Sequence, residues 1–301
     1  MSSIAEDKPS PVSRRAAFYW SVRRELWEHR ALHIAPAAIS LLVFVGFLTA
    51  LPKLPRAMVL AKASIAAHST YNPLLFPYEL VILGGLIVGL VFRLFYCLGA
   101  LHDERRDRSI LFWKSLPVSD VATVFAKAVT VFVILPVVVY AAMAVVQFVM
   151  FALSALVIAA TGGDVGALWA QIDLPFMWSS MALGFVYLTL WQAPAYAWIL
   201  MVSGWARRTV FLWAAAPLAI DWLAESLIAH KPRIETFIFR RFVGGAEEVF
   251  TVHGLGKAPV TQMSELEPAH LFGDPQLAIG LFAAAAFVAI AVFLRRRAAP
   301  I

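Results

Sequence analysis

Residues 101–120 read LHDERRDRSILFWKSLPVSD. Six charged side chains follow one another from Asp103 to Arg108. Four bulky apolar residues come next, Ile110 to Trp113, and a Ser-Leu-Pro-Val-Ser-Asp turn closes the segment. On either side stand long apolar runs, LVILGGLIVGLVFRLFYCLGAL at 80–101 and VTVFVILPVVVYAAMAVV at 129–146. A charged island of this kind cannot sit in lipid, and it is too short to fold as a domain. It therefore reads as a connection between two membrane spans.

Composition supports that reading. The chain is 61% hydrophobic and 15% charged, with a mean hydropathy of +0.77, whereas soluble domains carry about a quarter charged residues. The net charge of +6 is not gathered into a basic domain, and no stacking or groove-reading motif accompanies it, so nucleic acid is not an expected partner. A single cysteine, Cys97, excludes an internal disulfide and a cysteine-rich metal site. The opening MSSIAEDKPSP is polar and mixed in charge, unlike a cleavable signal peptide. The first apolar span is expected to serve as its own insertion signal.

A spanning helix needs about 20 mostly apolar residues, and six segments qualify: about 31–51, closed by Pro52; 77–100; 121–160, long enough to tilt, protrude or bend at Pro136; 178–203; 209–229; and 276–294, which ends against Arg295, Arg296 and Arg297. The fold class is an all-α integral membrane protein, one transmembrane domain over residues 1–301. Residues 14–30, RRAAFYWSVRRELWEHR, form an amphipathic helix suited to the headgroup layer. Phe18, Val22 and Leu26 lie on one side, Arg14, Arg24, Glu25 and Glu28 on another, and Trp20 and Trp27 share a face. Between spans five and six, RIETFIFRRF at 233–242 repeats its apolar residues at helical spacing, an external amphipathic or re-entrant element within the loop 231–275. With both termini cytoplasmic, the inner segments hold fifteen Lys and Arg against eight outside, which favours that orientation.

The segment from Arg93 to about Val129 resembles the first cytoplasmic loop of permease subunits in the type-2 family of ATP-binding-cassette (ABC) exporters. The shared pattern is a helix end, an E-R-x-x-x segment, a short apolar block, an L-P-V-S turn, and a helix with a Lys. Here these are Glu104-Arg105-Arg106-Asp107-Arg108, Ile110 to Trp113, Ser115-Leu116-Pro117-Val118-Ser119, and Lys127. One departure is Asp107-Arg108, where family members often have Gly-Thr. The resemblance implies that 101–120 is a coupling helix docked on a separate ATPase. Two ATPase copies, with their ATP and Mg, and a second permease, identical or homologous, are the expected partners, besides membrane lipids. A bacterial inner (plasma) membrane is the expected location, and export is the direction that the family implies.

Physical reasoning suits the role. Glu104, Arg105, Arg106, Asp107 and Arg108 offer charges to a partner's surface, Ile110, Leu111, Phe112 and Trp113 an apolar anchor. Lys114 follows the anchor and Pro117 punctuates the turn, with Ser119 or Asp120 as N-cap of the next span. The chain itself shows no G-x-x-x-x-G-K-[ST]. Its nearest approach, around VHGLGKAP at 252–259, has Thr251 for the first Gly and Ala258 after the Lys, so no nucleotide or other cofactor is expected to bind here and the chain is not expected to be an enzyme. A transport subunit moving an amphipathic or lipid-like cargo is the leading expectation.

Polar residues inside spans are the candidates for a transport path or outer gate: Glu79, Gln192, and Asp221 with Glu225 on one face of span five. Arg93 is expected to snorkel towards the inner headgroups, and Gly85-x-x-x-Gly89 to make a small-residue contact within the chain. His102, Asp103 and Glu104 are consecutive and point apart on a helix, so no metal site is expected. The alternative is an integral membrane enzyme, or an ion-coupled carrier, using Asp221 and Glu225, the enzyme with His230. Against it, no H-E-x-x-H or G-x-S-x-G is present, and no inverted repeat is evident.

Overall fold

The computed structural model describes residues 13–66, 72–116, 118–228, 241 and 272–301. Among them every regular element is helical. Helix α1 (Arg14–Glu28) is followed by α2 (Ala31–Ala50), a 3₁₀ turn (Leu51–Lys53) and α3 (Leu54–Ala66). Next come α4 (Phe76–Gly99), α5 (His102–Arg106), α6 (Ser109–Ser115) and α7 (Asp120–Val129). A π-turn (Thr130–Ile134) leads from α7 into α8 (Leu135–Ala160), and α9 (Val165–Gln171), α10 (Leu174–Trp205), α11 (Val210–Ile228) and α12 (Pro275–Arg297) complete the series.

Among the described residues, five helical stretches are long and apolar enough to cross a membrane: Ala31–Ala61, Phe76–Arg106, Asp120–Ala160, Val165–Trp205 and Pro275–Arg297. The chain is a multi-pass membrane protein in its build. Apolar residues occupy both the interior and the outside of the bundle. Val131, Val139 and Met150 are fully buried, while Leu42, Leu156 and Phe282 face outward. An outer surface of this kind is stable against acyl chains, not against water.

Several expectations change in detail. Pro52 does not close the first segment. It takes an early position in the 3₁₀ turn, where a missing N–H costs little, and the chain runs on into α3. The expected outer loop at 161–177 contains α9, capped by Asp164, and α10 starts at Leu174 with Asp173 as its cap. The long third segment changes register ahead of Pro136: the amide of Leu135 reaches back to the carbonyl of Thr130, five residues away. That π-turn absorbs the distortion expected at the proline.

Contacts between spans explain the polar residues that lie in them. Met143 of α8 lies over Gly85, where any Cβ would collide with its sulfur, so the glycine pair serves a contact within the chain. Gln147 donates to the Tyr78 carbonyl at 3.2 Å and accepts from the Trp178 indole at 3.2 Å. It thereby ties α8 to both α4 and α10. Arg93 does not snorkel. It is 3% exposed, its Nε donates to the Gly89 carbonyl at 3.0 Å, and its guanidinium lies 4.9 Å from the centre of the Tyr196 ring. The aromatic face and the helix carbonyl hold it inside the bundle.

Helix α11 passes through Asp221 and Glu225, but their side chains lie outside the described residues, as do His230 and the proposed external element apart from Arg241. Glu79 is half-buried in the first turn of α4, where a carboxylate suits the helix dipole. Gln192 is buried in α10.

Candidate functional site

The site is built on the charged island. Helix α4 ends at Gly99, α5 makes little more than one turn, and the chain reverses at Arg108 into α6. Arg108 has φ 61°, the left-handed region that glycine occupies without strain. Ser119 then caps α7, its hydroxyl accepting from the Ala122 amide at 3.1 Å. Pro117 lies outside the described residues.

The island has two faces. Glu104, Arg105 and Ile110 are buried in their own chain, so they are not surface groups free for a partner. Arg105 donates to the carbonyls of Gly204 at 2.7 Å and Ala206 at 3.3 Å, which the end of α10 leaves without helical donors. Lys114 does the same for the end of α12, donating to Ala298 at 2.8 Å and Arg296 at 3.3 Å. The other face is open. Leu111 is 59% exposed and Phe112 58%, and Arg106, Asp107 and Arg108 are exposed around them. Trp113 lies between the two faces, packed edge-on to Phe112 and covered by the Arg24 guanidinium at 4.0 Å.

Beneath the loop lies a buried ion cluster that the sequence reading did not anticipate. Lys127 of α7 bridges two carboxylates, Glu25 of α1 at 2.9 Å and Glu104 of α5 at 3.1 Å. Arg24 also reaches both, at 2.6 and 3.2 Å. Arg295 of α12 binds Glu104 and stands 3.3 Å from Asp120, while the Tyr96 hydroxyl of α4 donates to Glu25 at 2.7 Å. Glu25 and Lys127 are each 1% exposed. In such a setting the balance of charge decides whether the cluster can exist. Here Glu25, Glu104 and Asp120 meet Arg24, Lys127 and Arg295, and the exposed Glu28 adds a further carboxylate at the edge, 3.6 Å from Arg24. Burial alone would push the Glu25 carboxyl up. Lys127, Arg24 and the Tyr96 hydrogen bond reverse that and hold it down at about 2.

The cluster revises the reading of α1. Glu25, which amphipathicity assigns to the polar face, points into the protein, and the outward face carries Trp20 and Trp27 with Arg23 between their rings at 5.1 and 4.7 Å. Glu25, Glu28 and His29 bring ligand atoms within 4.8 Å of one another. The two cations already on Glu25 repel a third, so this geometry does not favour a metal. His102, Asp103 and Glu104 point apart, to the Ala206 carbonyl, to Arg106 and to the ion cluster. No signal in the sequence marks the cluster as one unit, because Lys127 is 102 residues from Glu25 and Arg295 is 191 from Glu104.

No known family model, curated protein or solved structure matches the chain.

Proposed function

We propose that the chain is the membrane-spanning permease subunit of an ABC exporter, driven by a separate ATPase that docks on the 101–120 loop. In this reading α11 is the sixth span, α1 lies in the cytoplasmic headgroup layer, both termini are cytoplasmic, and two permeases assemble with two ATPases. What carries the proposal is the division of the island into a braced face and a presented face. A loop that passes on a movement must be stiff towards its own subunit and adhesive towards its partner. Glu104, Arg105 and Ile110 supply the stiffness: they tie α5 and the start of α6 to α1, α7, α10 and α12. Leu111 and Phe112, flanked by Arg106 to Arg108, supply the adhesion.

The mechanism needs no chemistry from this chain. ATP and Mg belong to the partner; closure of the ATPases would pull both loops, and the buried cluster would carry the displacement to α1 and α12 together. A ligand shifts such an equilibrium only by its differential affinity for the two states. The ATPase must therefore hold the loop more tightly in one of them. The test is co-purification of the full chain with a candidate P-loop ATPase, sought first in the reading frames adjacent to its own. Wild type should retain the ATPase, and Leu111→Ala with Phe112→Ala should lose it while keeping the thermal midpoint of the chain alone. A double variant that retains both the ATPase and ATP-dependent transport would rule the coupling assignment out.

A further inference from the structure

An apolar chamber of about 790 Å³ lies between α4, α10, α11 and α12, within the range of small-molecule sites. Leu94, Trp198, Ala214 and Phe287 are among its walls, and so are Pro194 and Pro217, each inside a helix. Two rim residues, Phe211 and Ile279, are 59% and 68% exposed, so the chamber opens sideways between α11 and α12. In a bilayer that opening faces acyl chains.

One charged side chain lines the chamber among the described residues, Arg241. It is 7% exposed. Its guanidinium lies 4.3 Å from the centre of the Trp191 ring, and one N–H donates to the Gln276 carbonyl at 3.3 Å. Gly280 makes the seat, because a Cβ there would collide with the guanidinium and touch Pro194 at 3.4 Å. Among the described residues no carboxylate lies within ion-pair distance of Arg241; Asp274 acts on it only through space. A guanidinium offers five donors, and a buried cation without an anion is costly. The site is thus a long greasy chamber with a cation at one end that has no counter-ion among the described residues.

We propose that this chamber binds an anionic amphiphile. Its carboxylate or phosphate pairs with Arg241, two oxygens against two N–H groups, and its apolar chain lies along α12 from Gln276 towards Phe287, about 16 Å at the helix rise. The ring of Trp191 covers one face of the guanidinium and leaves the edge, where the donors are, for the headgroup. Entry is lateral, from the membrane, past Phe211 and Ile279. The inference does not depend on the permease reading, since binding requires no ATPase.

The test uses the full chain in nanodiscs of zwitterionic lipid. Terminally brominated dodecanoate and dodecyl phosphate are titrated against tryptophan fluorescence, with brominated dodecanol and dodecyltrimethylammonium as controls. Both anions should quench saturably, at concentrations at least about tenfold below the controls, the difference that an added charge-assisted pair makes. Trp198→Phe should remove most of that quenching. Arg241→Gln should weaken both anions about tenfold or more and leave the alcohol unchanged. Ala283→Phe, which fills the chamber and keeps the cation, should weaken the anions comparably, so the test stands even where Arg241→Gln fails to fold. Tighter binding of one anion assigns the headgroup as carboxylate or phosphate. Equal binding of anion and alcohol by wild type, or unchanged anion binding by either Arg241→Gln or Ala283→Phe, would overturn the proposal.

Discussion

Helix α4 carries a tyrosine into each of two buried polar clusters that differ in kind. Near its start, Tyr78 meets Ser154 at 3.3 Å and accepts from Gln147 through its carbonyl. Every group there is neutral. Near its end, Tyr96 meets Glu25 in a cluster of charged side chains that includes Glu104, Asp120, Arg24, Lys127 and Arg295. Along α7 and α8 the two clusters are about 30 Å apart, from Lys127 to Gln147, roughly the thickness of a hydrocarbon core. Neutral hydrogen bonds fasten helices in a way that neither salt nor protons alter. Ion clusters are stronger, depend on complete pairing, and respond to any partner that changes the field around them. The adaptable end of this bundle is the end that carries the exposed loop.

The contrast can be broken by mutation. Lys127→Met removes the most deeply buried cation shared by Glu25 and Glu104 and leaves Arg24 to bridge them, and should cost about 3–5 kcal/mol of stability. The double variant Lys127→Met with Glu25→Gln should recover part of that loss, measured as thermal midpoints in a mild detergent. Full additivity of the two substitutions would mean that the pair is not coupled.

Acid tests the same cluster without mutation. The Glu25 carboxyl is held at about 2 against an ordinary 4.5. The folded state therefore binds its proton less readily than the unfolded one. Its contribution is complete above about pH 4.5 and drains away as pH falls towards 2, a change of about 3 kcal/mol. In Glu25→Gln that part of the acid sensitivity should vanish. The neutral cluster should show no matching pH dependence when Gln147 is replaced.

Phe112→Ala sharpens the comparison from outside. It should leave the thermal midpoint within about 0.5 kcal/mol of wild type while weakening ATPase association by about 2 kcal/mol, read by titrating the partner. Gln147→Leu removes the ties to α4 and α10 and should cost about 0.5–2 kcal/mol, in the range of polar contacts between membrane helices. Arg108→Gly should change least. It relieves a left-handed backbone at φ 61° but frees the unfolded chain, a net stabilisation of about 0.5 kcal/mol.

Much of the architecture was legible because lipid imposes a simple rule. Long apolar runs must be helices, and segments at 77–100, 121–160, 178–203 and 276–294 correspond to α4, α7 with α8, α10 and α12. Pro52 misled because a proline at the start of a 3₁₀ turn costs nothing that the turn had not already given up. Arg93 misled because snorkelling assumes a lipid-facing side chain, whereas Tyr196 offers an aromatic face inside the bundle. The functional island was visible as a charged break between spans, and its turn chemistry at Ser119 was readable from local rules. Its division into two faces was not. Glu104 and Arg105 stand beside Arg106 and Asp107 in the sequence with no periodic signal, and only helices far away in the chain decide which pair turns inward. The same holds for Glu25, which local amphipathicity assigns to water and Lys127 draws into the core.

The measurement that bears most directly on the account is the accessibility of one cysteine. Cys97 is fully buried, so Phe112→Cys places a single reactive thiol on the presented face of α6. In sealed membrane vesicles a charged maleimide should label it only when the cytosolic side faces out, and the bound ATPase should protect it. Labelling from the opposite side, or labelling that the ATPase leaves unchanged, would contradict the claim that this face is the seat of the motor.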